Sequence, residues 1–404
     1  PVVIDIPKDV QTETAEVRRW PAPGGRDETA EPDQAAIARA ARLIDAAERP
    51  MLYLGGGVVK SGASAQAVEL AGKISAPAVM TLMALGAMPA GHPLSLGMLG
   101  MHGARSTNVA LDECDVLIAI GARFDDRATG KAAEFCPRAQ VIHIDIDASE
   151  IGKIRSPQVG IVGDVAAALG ALAGAVRRKP RPSWLARVAT LRASYPVRGL
   201  ESRSLRDPYG LIAAVAANLD DSAIVATDVG QHQMWAAQAY PLRRPRQWVT
   251  SGGLGTMGFG LPAAIGAALA EPHRTVVCFS GDGSLLMNLQ ELATAADEQP
   301  NVKIVLMNNR ALGLVHQQQG LFYGGRSFAA RFATDTSFTK LAEAFGVRAV
   351  DLDYAAEPAR ALAAALAAPG PCLIHASIET DAMVLPMVPP GAANLDMIEE
   401  RERP

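Results

Sequence analysis

The chain has 404 residues, 49% hydrophobic and 20% charged, ordinary globular usage that excludes disordered and fibrous architectures. Lys and Arg total 38 against 42 Asp and Glu, and the formal net charge of −4 argues against nucleic acid as the main partner. At about 100–200 residues per domain the length suggests two or three domains. The apolar stretches, such as 165–176, fall well short of the roughly 20 residues of a membrane span, so no membrane is expected. Four cysteines (Cys114, Cys136, Cys278, Cys372) lie far apart with no CxxC pair, which reads as reduced thiols in a cytoplasmic protein.

Residues 1–7, PVVIDIP, read as a buried strand already in progress behind a first residue that is not Met. The chain is therefore expected to be part of a longer one, with 1–11 the end of a preceding domain. A polar, Pro/Gly-rich stretch at 12–32 reads as a linker. From Asp33 helix and strand alternate: helix 35–47, strand 51–54, helix 65–74, strand 78–82, helix 104–114, strand 116–120, then β-branched runs at 141–146 and 158–162. Segment 177–206 combines Pro, Gly and charge and reads as a second linker. The rhythm then restarts, with helices at 208–218, 261–269, 285–297 and 338–345. The strands between and after them fall at 223–227, 275–279, 303–307 and 371–376. Strands apolar on both faces signal parallel sheets covered by helices on both sides. The expected architecture is two doubly wound α/β domains, 33–176 and 207–385, followed by a tail at 386–404. In such sheets ligands gather at the carboxyl ends of strands, which points to the loops after Leu54, Ile120, Ile144, Thr227, Phe279 and Met307.

The sharpest motif is Gly281-Asp282-Gly283-Ser284 after one strand and Asn308-Asn309 after the next. A helix and a strand separate the two halves, so Asp282 and Asn309 should meet at neighbouring strand ends. A carboxylate and an amide oxygen, with a backbone carbonyl and water, suit a hard octahedral cation such as Mg²⁺, and diphosphate oxygens would complete its shell. The glycines let backbone approach phosphate, and a helix N-terminus favours negative charge. Two unrelated turns are the alternative. No Gly-x-Gly-x-x-Gly follows the first strand of either domain, which counts against a nicotinamide dehydrogenase.

This pattern resembles the metal-and-diphosphate motif of thiamine diphosphate enzymes. Longer segments make the chain similar to the large, catalytic subunit of acetolactate synthase (acetohydroxyacid synthase) over nearly its whole length. They are PVVIDIPKDVQ at 1–11, LGMLGMHGARSTN at 96–108, GARFDDRATGK at 121–131 and HIDIDASEIGK at 143–153. In the second half they are DVGQHQMWAAQ at 228–238, SGGLGTMGFGLPAAIGA at 251–267, LFYGGR at 321–326 and VLPMVPPGAANLDMI at 384–398. The resemblance implies thiamine diphosphate, Mg²⁺ and FAD as cofactors. It implies a transferase of branched-chain (valine and isoleucine) biosynthesis that decarboxylates pyruvate and joins the fragment to a second small 2-keto acid, pyruvate or 2-ketobutyrate. It also implies a homodimer or homotetramer and a small regulatory subunit.

On this resemblance Mg²⁺ would be held by Asp282, Asn309 and the carbonyl of Ala311. The diphosphate would lie near Val229, Gly230, Gln231 and His232 on one side and Gly283, Ser284, Gly313, Leu314 and Val315 on the other, with Gly255 nearby. Met257 matches the apolar residue that bends the cofactor; filling the core is its alternative, as a backbone-satisfied turn is for His232. Flavin contacts would fall on Thr81, Leu82, Gly100, Met101, His102, Gly103, Gly121, Ala122, Arg123, Phe124, Asp125, Asp145, Ile146, Asp164 and Val165. Glycine-rich strand ends there would give backbone donors to a pyrophosphate, and Asp145 would suit ribose hydroxyls. Arg127 matches an arginine near the substrate carboxylate, or else pairs with Asp125 or Asp126 at the surface.

Two departures stand out. The family's N-terminal domain, which supplies the activating glutamate, is not in this sequence, so the chain assayed alone is expected to be inactive. Gln318 stands where the family commonly has the Trp of a V-x-Q-W segment, which removes an aromatic wall from the second-substrate site. The alternatives are another thiamine diphosphate carboligase or oxidase, or a fragment that binds cofactors and turns over nothing.

Overall fold

The computed structural model describes residues 4–20 and 31–400. Among them, twelve strands form two six-stranded sheets, every pairing parallel. The first holds β1 (Pro50–Leu54), β2 (Ala78–Met80), β3 (Ser95–Met98), β4 (Val116–Ile120), β5 (Gln140–Asp145) and β6 (Val159–Val162). The second holds β7 (Ile224–Thr227), β8 (Trp248–Thr250), β9 (Val276–Gly281), β10 (Val302–Asn308), β11 (Arg348–Asp351) and β12 (Cys372–Ser377). Central strands such as β4, VLIAI, and β10, VKIVLMN, are buried at every position because helices cover both faces. The doubly wound α/β expectation is met.

Strand order decides where a ligand can sit. The first sheet runs β3-β2-β1-β4-β5-β6, reversing direction between β1 and β4. The second runs β11-β12-β10-β9-β7-β8; the chain leaves β7 outward for β8 and returns on the other side as β9. A crevice therefore opens outside the carboxyl ends of β7 and β9, where the loops diverge to opposite faces. At the equivalent place in the first sheet the loops are tightly packed instead. Gly121 has φ +57°, and a Cβ on Gly57 would fall 2.6 Å from its Cα, so only glycines permit this contact.

Helix boundaries follow local chemistry. Helix Gln34–Ala46 begins where the Asp33 side chain accepts from the Ala35 N–H at 2.9 Å, and it buries Ala36, Ile37, Ala40, Ala41 and Ile44 as one stripe. Segment 177–206, read as a linker, holds a helix, Pro182–Ser194, that starts on a proline and buries Trp184, Val188 and Leu191. Ahead of it, Arg181 is 3% exposed and donates to the carbonyls of Ala47 (3.0 Å), Ile44 (2.6 Å) and Ile74. It satisfies the carbonyl ends of two helices at once. The helix expected over 285–297 is broken into Asp282–Leu285 and Glu291–Glu298, and β3, β8 and β11 were not anticipated.

Residues 1–30 form a unit by themselves, and 31–404 a second, compact one that contains both sheets. The buried strand expected at 1–7 is not found over its described part. Ile4 and Ile6 are 77% and 54% exposed, and the described piece holds only the short, wholly exposed helix Lys8–Thr12. No strand pairs with this segment among the described residues. Within the second unit the final segment returns to the first sheet's loops. Lys131 N–H donates to the Ala392 carbonyl at 2.9 Å and Asn394 Nδ2 to the Ala128 carbonyl at 2.9 Å.

Candidate active site

Three loops and one methionine meet at the crevice of the second sheet. After β7 come Asp228, Val229 and Gly230, then helix Gln231–Ala239; after β9 comes Asp282–Leu285; after β10 come Asn309 to Leu312, then helix Gly313–Phe322. They line a cleft with Trp235 at its wall and Met257 facing in from the loop after β8. The parallel pairing of β9 with β10, Gly281 opposite Met307, brings the two halves of the motif side by side. Asp282 and Asn309 are 3% and 6% exposed.

The polar groups are held in fixed orientations. Asn309 Nδ2 donates to Gln231 Oε1 at 2.9 Å, and Gln231 Nε2 donates to Gln317 Oε1 at 3.0 Å and to the Ala382 carbonyl at 2.7 Å. This leaves Asn309 Oδ1 on the other side, with only a long 3.3 Å contact from the Ala311 N–H. Thr380 Oγ1 holds the Asn309 carbonyl at 2.9 Å. A Cβ on Gly313 would fall 1.9 Å from Gln231 Oε1 and 2.7 Å from Asn309 Nδ2, so a side chain there would displace the tie between them. Asp282 Oδ1 accepts from the Gly283 N–H at 2.9 Å, whereas its Oδ2 is buried with no partner. Burial pushes the Asp282 carboxyl up to about 6, against the pull of backbone N–H groups at Gly283, Ala311 and Arg310. A buried, partnerless carboxylate oxygen beside an amide oxygen with spare capacity is a donor set that fits a hard cation.

His232 also lines the cleft; its Nε2 is buried without a partner, and burial holds its ring down to about 3, so it is neutral near pH 7. Val229, Gly230, Gln231, Gly283, Ser284, Gly313, Leu314 and Val315 all line the cleft, and Ala311 does too. Gly255 does not: it lies exposed on the loop that carries Met257. Gln318 is exposed and outside the lining, one turn beyond Val315 on the same helix face. Arg127 is at the surface, its side chain 69% exposed and 3.6 Å from Asp126, so the alternative surface pairing is the one observed.

Sequence reasoning missed Asp228 as an organiser. Its buried carboxylate accepts from the N–H groups of Val229 (2.8 Å), Gly258 (2.8 Å) and Gly260 (3.0 Å), fixing the loop with Met257 against the β7 turn. The signal was present: an acid directly after a buried strand, and two glycines, Gly258 and Gly260, just after the methionine. Gln317 and Thr380 carried no comparable signal, because their partners lie about 70 or more residues away.

The residues proposed for flavin are spread along the first sheet's strand ends. The N–H groups of Gly100, Met101, Gly103 and Gly121 are engaged within the fold, by Asn108 Oδ1 and the carbonyls of Arg127, Gly100 and Ile144. They are not free donors for a pyrophosphate, contrary to expectation, since the loops use them to pack on one another. Phe124 packs edge-on against Tyr53, Phe135 and His143, and Ala122 and Val165 are buried. Asp164 caps helix Val165–Ala175 through the Ala167 N–H, and Asp145 accepts from the Asp147 N–H. His102 is buried, its Nδ1 3.0 Å from the Pro386 carbonyl, with burial lowering its ring to about 4. The side chains of Arg123 and Ile146 are exposed, Leu82 and Asp125 are half-buried, and the Thr81 hydroxyl is buried without a partner.

Comparison with known proteins agrees with the crevice. A family model described as the C-terminal TPP-binding domain of thiamine pyrophosphate enzymes matches residues 228–376, and the model for their central domain matches 37–172. Fold and cleft are those of a thiamine pyrophosphate enzyme. The chain is 56% identical over 400 residues to acetolactate synthase isozyme 1 large subunit of Escherichia coli K12, covering 99% of this chain and 71% of that protein. It is 42% identical to isozyme 2 large subunit of the same organism (99% and 72%) and 41% identical to a probable acetolactate synthase large subunit of Methanocaldococcus jannaschii (99% and 70%). The chain belongs to the acetolactate synthase large-subunit family.

Proposed function

We propose that this chain carries the diphosphate- and metal-binding half of an acetolactate synthase active site, acting on pyruvate and a second 2-keto acid. The observation that carries the reading is the buried, partnerless Asp282 Oδ2 beside the oriented Asn309 amide, at the switch point between β7 and β9. Asp282, Asn309 and the Ala311 carbonyl would hold Mg²⁺, with Val229–His232, Gly283, Ser284 and Gly313–Val315 around the diphosphate. Bound thiamine diphosphate supplies the nucleophilic carbon that lets a 2-keto acid lose CO₂ and pass on its acyl fragment.

The chain's own contribution is position and charge. The buried Asp282 carboxylate would face the cation, neutral His232 offers a ring nitrogen without adding charge, and Met257 would give the cofactor an apolar surface. Helix Gly313–Phe322 closes one wall of the cleft against water. We read Gln318, one turn beyond Val315 at the mouth, as the position that sets preference for the second substrate. Arg127 stays a candidate for the substrate carboxylate through resemblance alone.

FAD is supported by the first sheet's strand order, the partnerless Thr81 hydroxyl and Asp145 at a strand end, with exposed Arg123 and Ile146 alongside. The matching relatives are named large subunits, which supports a smaller regulatory partner, and we read the assembly as a homodimer or homotetramer. Four buried free cysteines support a cytoplasmic setting, and no helix among the described residues is long and apolar enough to cross a membrane. The test, made on this chain together with the family's N-terminal domain, is product identity with pyruvate, thiamine diphosphate, Mg²⁺ and FAD: 2-acetolactate supports the reading, and acetate or acetaldehyde as the product contradicts it.

A further inference from the structure

Behind the metal loop, on the next strands of the sheet, lies a group of side chains that no step above uses. His375 on β12 is 9% exposed and faces Asp351 Oδ1 at 3.2 Å and Asp353 Oδ2 at 3.8 Å. Its other nitrogen, Nε2, is 3.0 Å from Nδ2 of Asn308, the residue before Asn309. The register explains the meeting: Asp351 pairs with His375 across β11 and β12, and Leu306 pairs with His375 across β10 and β12. Two carboxylates and an imidazole nitrogen within 4.8 Å of one another resemble a metal site. The hydrogen bonds argue otherwise.

Asn308 Oδ1 accepts from the Arg310 N–H at 3.1 Å, so the end of the amide that faces His375 is the NH₂ group, which can only donate. His375 Nε2 must therefore be the unprotonated nitrogen, and in the neutral ring the proton sits on Nδ1, toward the two carboxylates. A metal at Nδ1 would need the opposite tautomer and would set Nε2–H against the Asn308 NH₂. His375 Nδ1 lies 3.2 Å from Asp351 Oδ1 without an aligned hydrogen bond; the ring's Nε2 faces the NH₂ end of the Asn308 amide, and the amide oxygen holds the Arg310 N–H. Arg310 is the non-glycine residue of this turn with φ +55°, a conformation that needs outside support. The same turn carries Asn309 and Ala311.

We propose that His375, held beside Asp351, is a positioning residue for the metal loop, acting through Asn308 on the turn from Asn309 to Ala311. This rests on the metal reading of Asp282 and Asn309 given above. Groups that orient metal ligands from behind typically cost about 10–100-fold in metal affinity when removed. His375 would act this way although it touches neither metal nor diphosphate.

The test has two arms. In the chain labelled with ¹⁵N at its seven histidines, the His375 signal, identified by its loss in His375→Gln, should report a proton on Nδ1. A proton on Nε2, or a shift of this signal on adding Zn²⁺, would overturn the proposal in favour of a metal site. Calorimetry of thiamine diphosphate with Mg²⁺ should show affinity reduced about 10–100-fold in Asn308→Ala, and in the same direction in the milder Asp351→Asn. The cation-free melting temperatures should stay near that of the wild type. Unchanged affinity in both variants, or a lowered melting temperature with affinity intact, overturns it as a merely structural contact. Binding indifferent to Mg²⁺ in the wild type would bring down the metal reading itself; the tautomer arm is read separately.

Discussion

Burial holds His102 down to about 4 and His232 down to about 3, both below the ordinary 6.5 of an imidazole. A folded-state value below the unfolded one means that the folded chain binds fewer protons. Their contribution to stability is therefore present above pH 6.5 and is lost as pH falls toward 4. Asp282, raised by burial, works the other way: it favours folding at low pH and loses that effect as pH rises through about 6, and burial shifts Asp228 in the same direction. The melting temperature should fall between pH 6.5 and 4, and His102→Gln should flatten that limb by up to about 3 kcal/mol. Melting curves across this range check it; a variant with the same acid limb as the wild type contradicts it. Gly313 makes a second test at this scale. Gly313→Ala puts a methyl 1.9 Å from Gln231 Oε1 and 2.7 Å from Asn309 Nδ2. It should reduce Mg²⁺-dependent cofactor affinity about tenfold or more, an effect of at least about 1.4 kcal/mol, measured by calorimetry.

At the scale of elements, Arg181 shows what a linker reading overlooks. Its segment is rich in Pro and charge, yet the guanidinium is buried against the carbonyl ends of helices Gln34–Ala46 and Ser64–Ile74. Arg181→Met should destabilise the chain by about 2–4 kcal/mol, because it leaves buried carbonyls unpaired; denaturant unfolding measures it, and a change below about 0.5 kcal/mol, the ordinary range for a surface substitution, contradicts it. Gln318 tests the helix at the cleft mouth. A Trp there would offer an apolar wall to the extra methylene of 2-ketobutyrate, worth roughly 1–3 kcal/mol. With the family's N-terminal domain present, Gln318→Trp should raise the aceto-hydroxybutyrate share in mixed-substrate competition, and an unchanged product ratio would remove Gln318 from the second-substrate site. The strands with continuous apolar runs, such as β4 and β10, were legible because both faces are buried. Short strands β3, β8 and β11 were not, since each is a four-residue or shorter edge piece whose pairing is decided elsewhere in the chain.

For the whole molecule, the doubly wound topology was legible from the βαβα rhythm, and the metal motif from two strand-end loops that the topology makes neighbours. What the sequence left open depends on contacts distant in the chain. The Gln231–Gln317–Ala382 tie, the return of residues 386–400 onto the first sheet and the engagement of the Gly100 and Gly121 N–H groups have no local signature. The central claim is that Asp282 holds a cation against which the cofactor's diphosphate binds. Calorimetric titration of thiamine diphosphate into the wild type and Asp282→Ala, each with Mg²⁺ and with chelator, tests it most directly. Saturable, Mg²⁺-dependent binding is expected in the wild type and none in the variant; equal affinity in the two chains, or binding indifferent to Mg²⁺, would show that Asp282 holds no such cation.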